Sequence, residues 1–202
     1  SASLHSRSKW RSRMTRIKFC GLREREHVEA AVRLADYIGF VFAKSKRQVT
    51  LEEAARLRRD IPSTVQVVGV FVSPTYQQVT DAVEQVELDL IQIHGTIPDG
   101  KLPVPIIQAI PVTDIAEVEQ QTEYLLVDAP VAGSGETFDW SRDIQAERPL
   151  FIAGGLTAGN VGEAIKRYHP FAVDVSSGIE TDGRKDPIKM QAFADAVKER
   201  EV

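Results

Sequence analysis

Cys20 is the single cysteine in the sequence, and it stands two residues after Lys18 and directly before Gly21. On a β-strand that spacing puts both side chains on one face, so the Lys18 ammonium would favour the thiolate and make Cys20 a usable base. A free cysteine on its own reads as a small buried hydrophobe. The position at a strand end beside a lysine changes that reading. Asp128 closes the run Leu125-Leu126-Val127, and Ala129-Pro130-Val131-Ala132 after it make a poor start for any helix it would cap. Apolar flanks of that kind would let the carboxyl keep a proton to donate. One base and one acid suffice for proton-transfer catalysis.

The spacing of two recurs in Gln92 with His94 and in Asp174 with Ser176. Polar side chains converging from several strands need each other or a ligand, since unpaired burial costs on the order of a few kcal/mol each. Two small-residue stretches, Ala153-Gly154-Gly155 and Ser176-Ser177-Gly178, follow neighbouring strand candidates. Their backbone N–H groups can approach a phosphate closely, which makes Gly154, Gly155, Ser176, Ser177 and Gly178 candidate phosphate ligands and not merely turn formers. Lys44, Lys46 and Arg47 form a loop cluster of the usual solvated kind, yet Arg47 offers a planar fork suited to a substrate carboxylate. The stretch Ala132-Gly133-Ser134-Gly135-Glu136 is flexible by composition and reads as a lid.

Eight β-rich runs supply the strand ends on which these residues sit: Ile17 to Cys20, Tyr37 to Phe42, Gln66 to Val72, Leu90 to His94, Pro105 to Ile110, Tyr124 to Asp128, Leu150 to Ala153 and Ala172 to Ser176. Helical periodicity between and after them predicts helices at Glu24 to Ala35, Leu51 to Arg59, Tyr76 to Val86, Ile115 to Gln121, Trp140 to Glu147, Ala158 to Tyr168 and Ile188 to Arg200. Thr50 with Glu53 spells a capping box, Asp139 is an N-cap candidate, and Asp186-Pro187 open the last helix. After His94 the stretch Gly95 to Val104 places Pro98, Gly100 and Pro103 too close together for a regular helix. Strand starts average about 22 residues apart, the spacing of βα units. Eight uninterrupted units favour a closed parallel barrel over an open doubly wound sheet. The expected fold is a single-domain α/β (βα)8 TIM barrel with a shortened or missing helix after the fourth strand.

Composition bounds the partners. With 202 residues, 43% hydrophobic and 27% charged, the chain fits one soluble domain that needs no disulfide or metal to fold. A lone thiol points to a reducing, cytoplasmic setting. Residues 1–14 carry Arg7, Lys9, Arg11 and Arg13 and no acid, so this tail is set apart from the domain at 15–202. Met14 is read as the start, and the tail as a cloning remnant or disordered extension in preference to a transit segment. The net charge of −4 becomes −8 once those four bases are subtracted (21 against 29), and an acidic body argues against nucleic acid. No apolar run approaches the ~20 residues of a membrane span.

Taken in order, Lys18-Phe19-Cys20-Gly21, Gly39-Phe40-Val41-Phe42 with Ser45 to Val49, Gly69-Val70-Phe71-Val72, Gln92-Ile93-His94-Gly95, Asp128, Phe138-Asp139-Trp140, Ala153-Gly154-Gly155-Leu156, and Val173 through Glu180 with Lys185-Asp186 form a motif series. It resembles that of the phosphoribosylanthranilate isomerases, from about Ile17 to the C-terminus. Lys46 stands where proline is common in that pattern, and Ala132 where another glycine often precedes the lid. The resemblance implies an Amadori rearrangement of N-(5-phosphoribosyl)anthranilate to the 1-deoxyribulose 5-phosphate derivative in tryptophan biosynthesis, without metal or cofactor. It further implies Asp128 as general acid and Cys20 as general base. Arg47 would then hold the anthranilate carboxylate, Asp174 the sugar hydroxyls, and the two small-residue loops the phosphate, with His94 a further substrate contact. The expected partner is a small phosphosugar, and the expected assembly a monomer or homodimer. Two rivals stand beside this reading. The histidine-pathway isomerase resembles a design with two aspartates and paired phosphate loops, whereas here the first strand ends in Cys20 and Ser73-Pro74 follow the third. A non-catalytic phosphosugar-binding module would have no need of the Cys20 and Asp128 pair.

Overall fold

Near-continuous apolar runs in one strand after another leave both faces of the sheet apolar, and a sheet of that kind is stable only when covered on both sides. The computed structural model, which describes residues 14–113, 122–129 and 148–199, meets that need by closing the sheet on itself. The strands are β1 (Arg16–Cys20), β2 (Tyr37–Val41), β3 (Gln66–Val72), β4 (Leu90–His94), β5 (Ile106–Pro111), β6 (Tyr124–Asp128), β7 (Leu150–Ala153) and β8 (Ala172–Val175). They pair in parallel and in chain order, and β8 returns to β1 through Lys18 opposite Asp174. Each expected strand is present to within one residue at either end.

The helices between them lie outside the barrel: α1 (Arg25–Ala31), α2 (Leu51–Arg58), α3 (Tyr76–Val86), α4 (Val161–Tyr168) and α5 (Pro187–Glu199). The capping box at Thr50 and Glu53 forms as the sequence predicts, and Asp186 accepts from Ile188 N at 2.9 Å at the head of α5. No helix follows β4, in keeping with the prolines and Gly100. Two helices are shorter than expected. α1 ends at Ala31 because the chain tightens there, with Leu34 N and Ala35 N both donating to the Ala31 carbonyl. That turn delivers Asp36 to receive Ile17 N on β1 at 2.9 Å. α4 starts only at Val161 because Asn160 is used to tie a loop, accepting from Thr157 N at 2.8 Å and donating to the Gly155 carbonyl at 3.0 Å. The helices expected at Ile115 to Gln121 and Trp140 to Glu147, the Asp139 cap, the lid at 132–136 and residues 1–13 of the tail lie outside the described residues.

The barrel interior is filled in layers. At the end where strands begin, Tyr37, Tyr124, Phe151 and Phe171 pack edge-on or tilted with ring centroids 5.2–6.4 Å apart, and the Arg16 guanidinium lies 4.3 Å from the Phe171 ring centre. This aromatic floor closes one mouth and leaves the other for chemistry. Phe151 is its fully buried centre. Phe151→Ala should lower unfolding stability by about 3–5 kcal/mol, read by denaturant titration; a loss under about 1 kcal/mol would mean the floor is not a packing unit.

Candidate active site

Every described residue singled out for acid, base, substrate or phosphate contact lies at the carboxyl end of the barrel or one layer below it. Cys20, His94 and Asp128 are the last residues of β1, β4 and β6, and Asp174 is one residue short of the end of β8. Arg47 lies in the loop from β2 to α2, Gly154 and Gly155 follow β7, and Ser176, Ser177 and Gly178 follow β8. This is the end at which barrels of this architecture place catalytic groups.

A buried ammonium ion sits at the centre. Lys18 is fully enclosed, forms an ion pair and hydrogen bond with Asp174, and donates to Gln92 Oε1 at 2.7 Å across the lumen from β1 to β4. Gln92 Nε2 in turn lies 3.0 Å from His94 Nε2. Burial by itself would strip the Lys18 proton, but the charges of Asp174 and then Cys20 outweigh it and hold the group above the ordinary lysine range. Lys18 is therefore a permanent cation, and Asp174 is its counter-ion before any substrate arrives.

The Cys20 thiol is pulled in two directions. Burial pushes it up, and although Lys18 and Lys185 pull the other way, the net shift is upward. Lys18 thus acts toward the thiolate, and burial outweighs it. Asp128 is exposed at the rim, not wrapped in its apolar flanks. Among the described residues no hydrogen bond joins Asp128 to Cys20; they stand on strands separated by β7 and β8.

Arg47 does not present an empty fork. Its Nε and Nη2 donate to Glu180 Oε2 and Oε1 at 2.9 and 2.6 Å. Glu180 opens a small hairpin, β9 (Glu180–Thr181) paired with β10 (Arg184–Lys185), whose Asp182-Gly183 turn has φ of +52° and +78°. The hairpin puts Lys185 opposite Glu180, and Lys185 Nζ donates to Glu180 Oε2 at 2.9 Å and to the Ser176 carbonyl at 2.9 Å. The Ser176 hydroxyl accepts from Lys185 at 3.1 Å and donates to the Cys20 carbonyl at 3.0 Å. Its side chain is thus committed to the scaffold. Sequence reasoning assigned no role to Glu180 or Lys185. The Asp-Gly turn between β-capable residues was the signal that pairs them.

The two small-residue loops are built for close approach. Gly154 and Gly155 have φ of +112° and +64°, and a methyl group on Gly154 would lie 2.6 Å from Asp128 Oδ1 and 2.2 Å from the Ala129 carbonyl oxygen. A methyl on Gly178 would fall 1.9 Å from the Leu156 carbonyl oxygen. The loop after β7 therefore touches both the acid and the loop after β8.

Comparison with known proteins fits this geometry. A protein-family model described as "PRAI: N-(5'phosphoribosyl)anthranilate (PRA) isomerase" matches residues 17–196. The chain belongs to the N-(5'-phosphoribosyl)anthranilate isomerase family. It is 52% identical over 192 residues to the N-(5'-phosphoribosyl)anthranilate isomerase of Streptococcus mutans serotype c, covering 92% of this chain and all of that one. A relative of the same name from Streptococcus pneumoniae (strain Hungary19A-6) is 54% identical, covering 92% and 96%. Among solved structures, a phosphoribosyl anthranilate isomerase in complex with reduced 1-(o-carboxyphenylamino)-1-deoxyribulose 5-phosphate is 34% identical with a TM-score of 0.79, covering 92% of this chain and all of that one. Monomers generated from the dimeric isomerase of Thermotoga maritima superpose with the same TM-score at 36% identity, again covering 92% and 100%.

The Glu180 ion pairs carry a pH signature. Burial alone would raise the carboxyl, but hydrogen bonds from Arg47 and Lys185 outweigh it and hold the group at about 2. Because the folded value lies below the unfolded one of about 4.3, the stabilisation is complete above the unfolded value and is lost as pH falls through the folded one. Glu180→Gln should be less stable than wild type at neutral pH, and the difference should shrink from about pH 4.5 towards pH 2, measured by denaturant unfolding. A difference independent of pH would show that the carboxylate charge is not what holds the hairpin.

Proposed function

We propose that this protein isomerises N-(5'-phosphoribosyl)anthranilate to 1-(o-carboxyphenylamino)-1-deoxyribulose 5-phosphate, in tryptophan biosynthesis, by proton transfer between Asp128, the substrate and Cys20. The observation that carries the reading is the placing of both groups at one barrel rim, with the Gly154 loop against the Asp128 carboxylate. Asp128 gives its proton to the furanose ring oxygen as the C1–O bond breaks, leaving a protonated Schiff base at C1. Cys20 then takes the proton from C2, and the electron pair moves into the C1–C2 bond to give an enolamine, which tautomerises to the ketone. Atoms and electrons balance within the substrate.

Lys18 steadies the thiolate that the base step requires. Asp174 retains one carboxylate oxygen beyond the Lys18 bond for a sugar hydroxyl. Glu180 uses two of the five guanidinium donors of Arg47, which aims the fork and leaves three N–H groups for the anthranilate carboxylate. Backbone N–H groups at Gly154, Gly155, Ser176, Ser177 and Gly178 take the phosphate. His94 contributes a substrate contact. The lone buried thiol supports a cytoplasmic setting, and among the described residues no helix is long and apolar enough to cross a membrane. The dimeric relative of which monomers were generated supports either a monomer or a homodimer.

Cys20→Ala and Asp128→Asn should each lower kcat by about 10²- to 10⁴-fold, followed as loss of substrate fluorescence with freshly generated phosphoribosylanthranilate. Retained turnover in both would refute the assignment of base and acid. Because burial raises the Cys20 thiol, kcat/KM should climb with pH through the alkaline range above about 8.5; a flat profile there would exclude Cys20 as base. Inorganic phosphate at millimolar concentration should raise the melting temperature, and no shift would count against the two loops.

A further inference from the structure

Gln92 and Lys18 need not touch substrate in the reading above, yet they form a chain of hydrogen bonds whose polarity is fixed atom by atom. An ammonium group has three donors and no acceptor, so the Gln92 atom 2.7 Å from Lys18 Nζ is the carbonyl oxygen. The other end of the amide is then the NH2 group, which can only donate. Its neighbour at 3.0 Å is His94 Nε2. Nε2 must therefore present a lone pair, which leaves the ring proton on Nδ1. An imidazolium, or the opposite tautomer, would set N–H against N–H at that distance.

We propose that Lys18, acting through Gln92, holds His94 as the neutral Nδ1–H tautomer, so that the ring is a hydrogen-bond donor to an acceptor oxygen of the phosphosugar and not a proton carrier. The identity of that oxygen's owner rests on the function proposed above; the tautomer does not. Gln92 and Lys18 are thereby positioning residues, and His94 is the group that meets substrate.

Three observations support the arrangement. Gln92 is 3% exposed and Lys18 fully buried, so neither end of the relay exchanges its partner for water. Asp174 keeps Lys18 charged, which prevents the lysine from becoming an acceptor and so prevents the amide from turning over. Among the described residues nothing takes the Nδ1 proton, and the ring is half-buried at the end of β4. The charged groups that act on it are Lys18 from β1, Asp174 from β8 and Asp128 from β6, while the register partners on β3 and β5 are Val72 and Ala109. Burial first and Lys18 second push the imidazole down, against the two carboxylates, which favours the neutral ring. The division of labour follows: with His94 neutral, proton traffic is left to Cys20 and Asp128.

Long-range 1H–15N correlation spectra of substrate-free protein with 15N-labelled histidine test this directly, the His94 signals being assigned by their loss in His94→Asn. The expected spectrum at pH 8 has Nδ1 protonated and Nε2 bare. In Gln92→Glu the new carboxylate accepts from both Lys18 and the ring, so at pH 8 Nε2 should become protonated and Nδ1 bare, and KM should rise about five- to tenfold. A protonated Nε2 in the wild type, or an unchanged Nδ1–H spectrum in Gln92→Glu, would overturn the tautomer assignment. A switched tautomer with KM unchanged would overturn the donor role of His94 while leaving the isomerase reading to the Cys20→Ala and Asp128→Asn assays. The wild-type spectrum decides the tautomer even if Gln92→Glu fails to fold.

Discussion

A cation shut away from bulk solvent is the constraint to which the rest of the barrel answers. An ammonium group in so enclosed a place survives only if its donors are all engaged and its charge is balanced. Asp174 supplies the balance from the neighbouring strand, Gln92 a second acceptor from across the lumen, and Cys20 lies close enough to feel the charge. Each of these partners belongs to the candidate site. The ion is therefore both a structural knot and the source of the field in which the base and the substrate contacts operate, and removing one member would leave another unpaired at a cost of about 3–5 kcal/mol.

The architecture makes room for such an ion by dividing the barrel lengthwise. Aromatic rings fill the end where the strands begin, the Lys18 layer occupies the middle, and small or polar residues take the open mouth. Outside the mouth, the β9–β10 hairpin applies the same logic a second time. Glu180 draws in Arg47 and Lys185, and through Ser176 the cluster reaches the backbone of Cys20. Two ionic clusters, one inside and one above, thus bear on the same residue from both sides.

Much of this was legible in the sequence because it is local. Strand ends, the spacing of two that pairs Lys18 with Cys20 and Gln92 with His94, the capping box at Thr50 and the helix-breaking prolines after β4 are all written within a few residues. A second capping box, Thr75 with Gln78 at the head of α3, carries the same pattern. What was not legible depends on distance or magnitude. Arg47 and Glu180 are 133 positions apart, so the filling of that fork follows only from closure of the barrel and the hairpin turn. The direction of the Cys20 shift is a contest between desolvation and the Lys18 charge, and residue types alone tell the sign of each contribution but not which one wins. The polarity of the relay to His94 follows only from two contacts between distant strands and within β4, Lys18 with Gln92 and Gln92 with His94.

The central claim is that the enclosed Lys18 charge, net of its counter-ion, lowers the cost of forming the thiolate at Cys20. Titrating the thiolate absorbance of Cys20 in the wild type and in a Lys18→Met, Asp174→Asn double variant, which removes both charges together, tests it most directly. The account predicts that Cys20 ionises at higher pH in the double variant, because Lys18 acts on the thiol more strongly than Asp174 opposes it. Ionisation at the same or lower pH would contradict it.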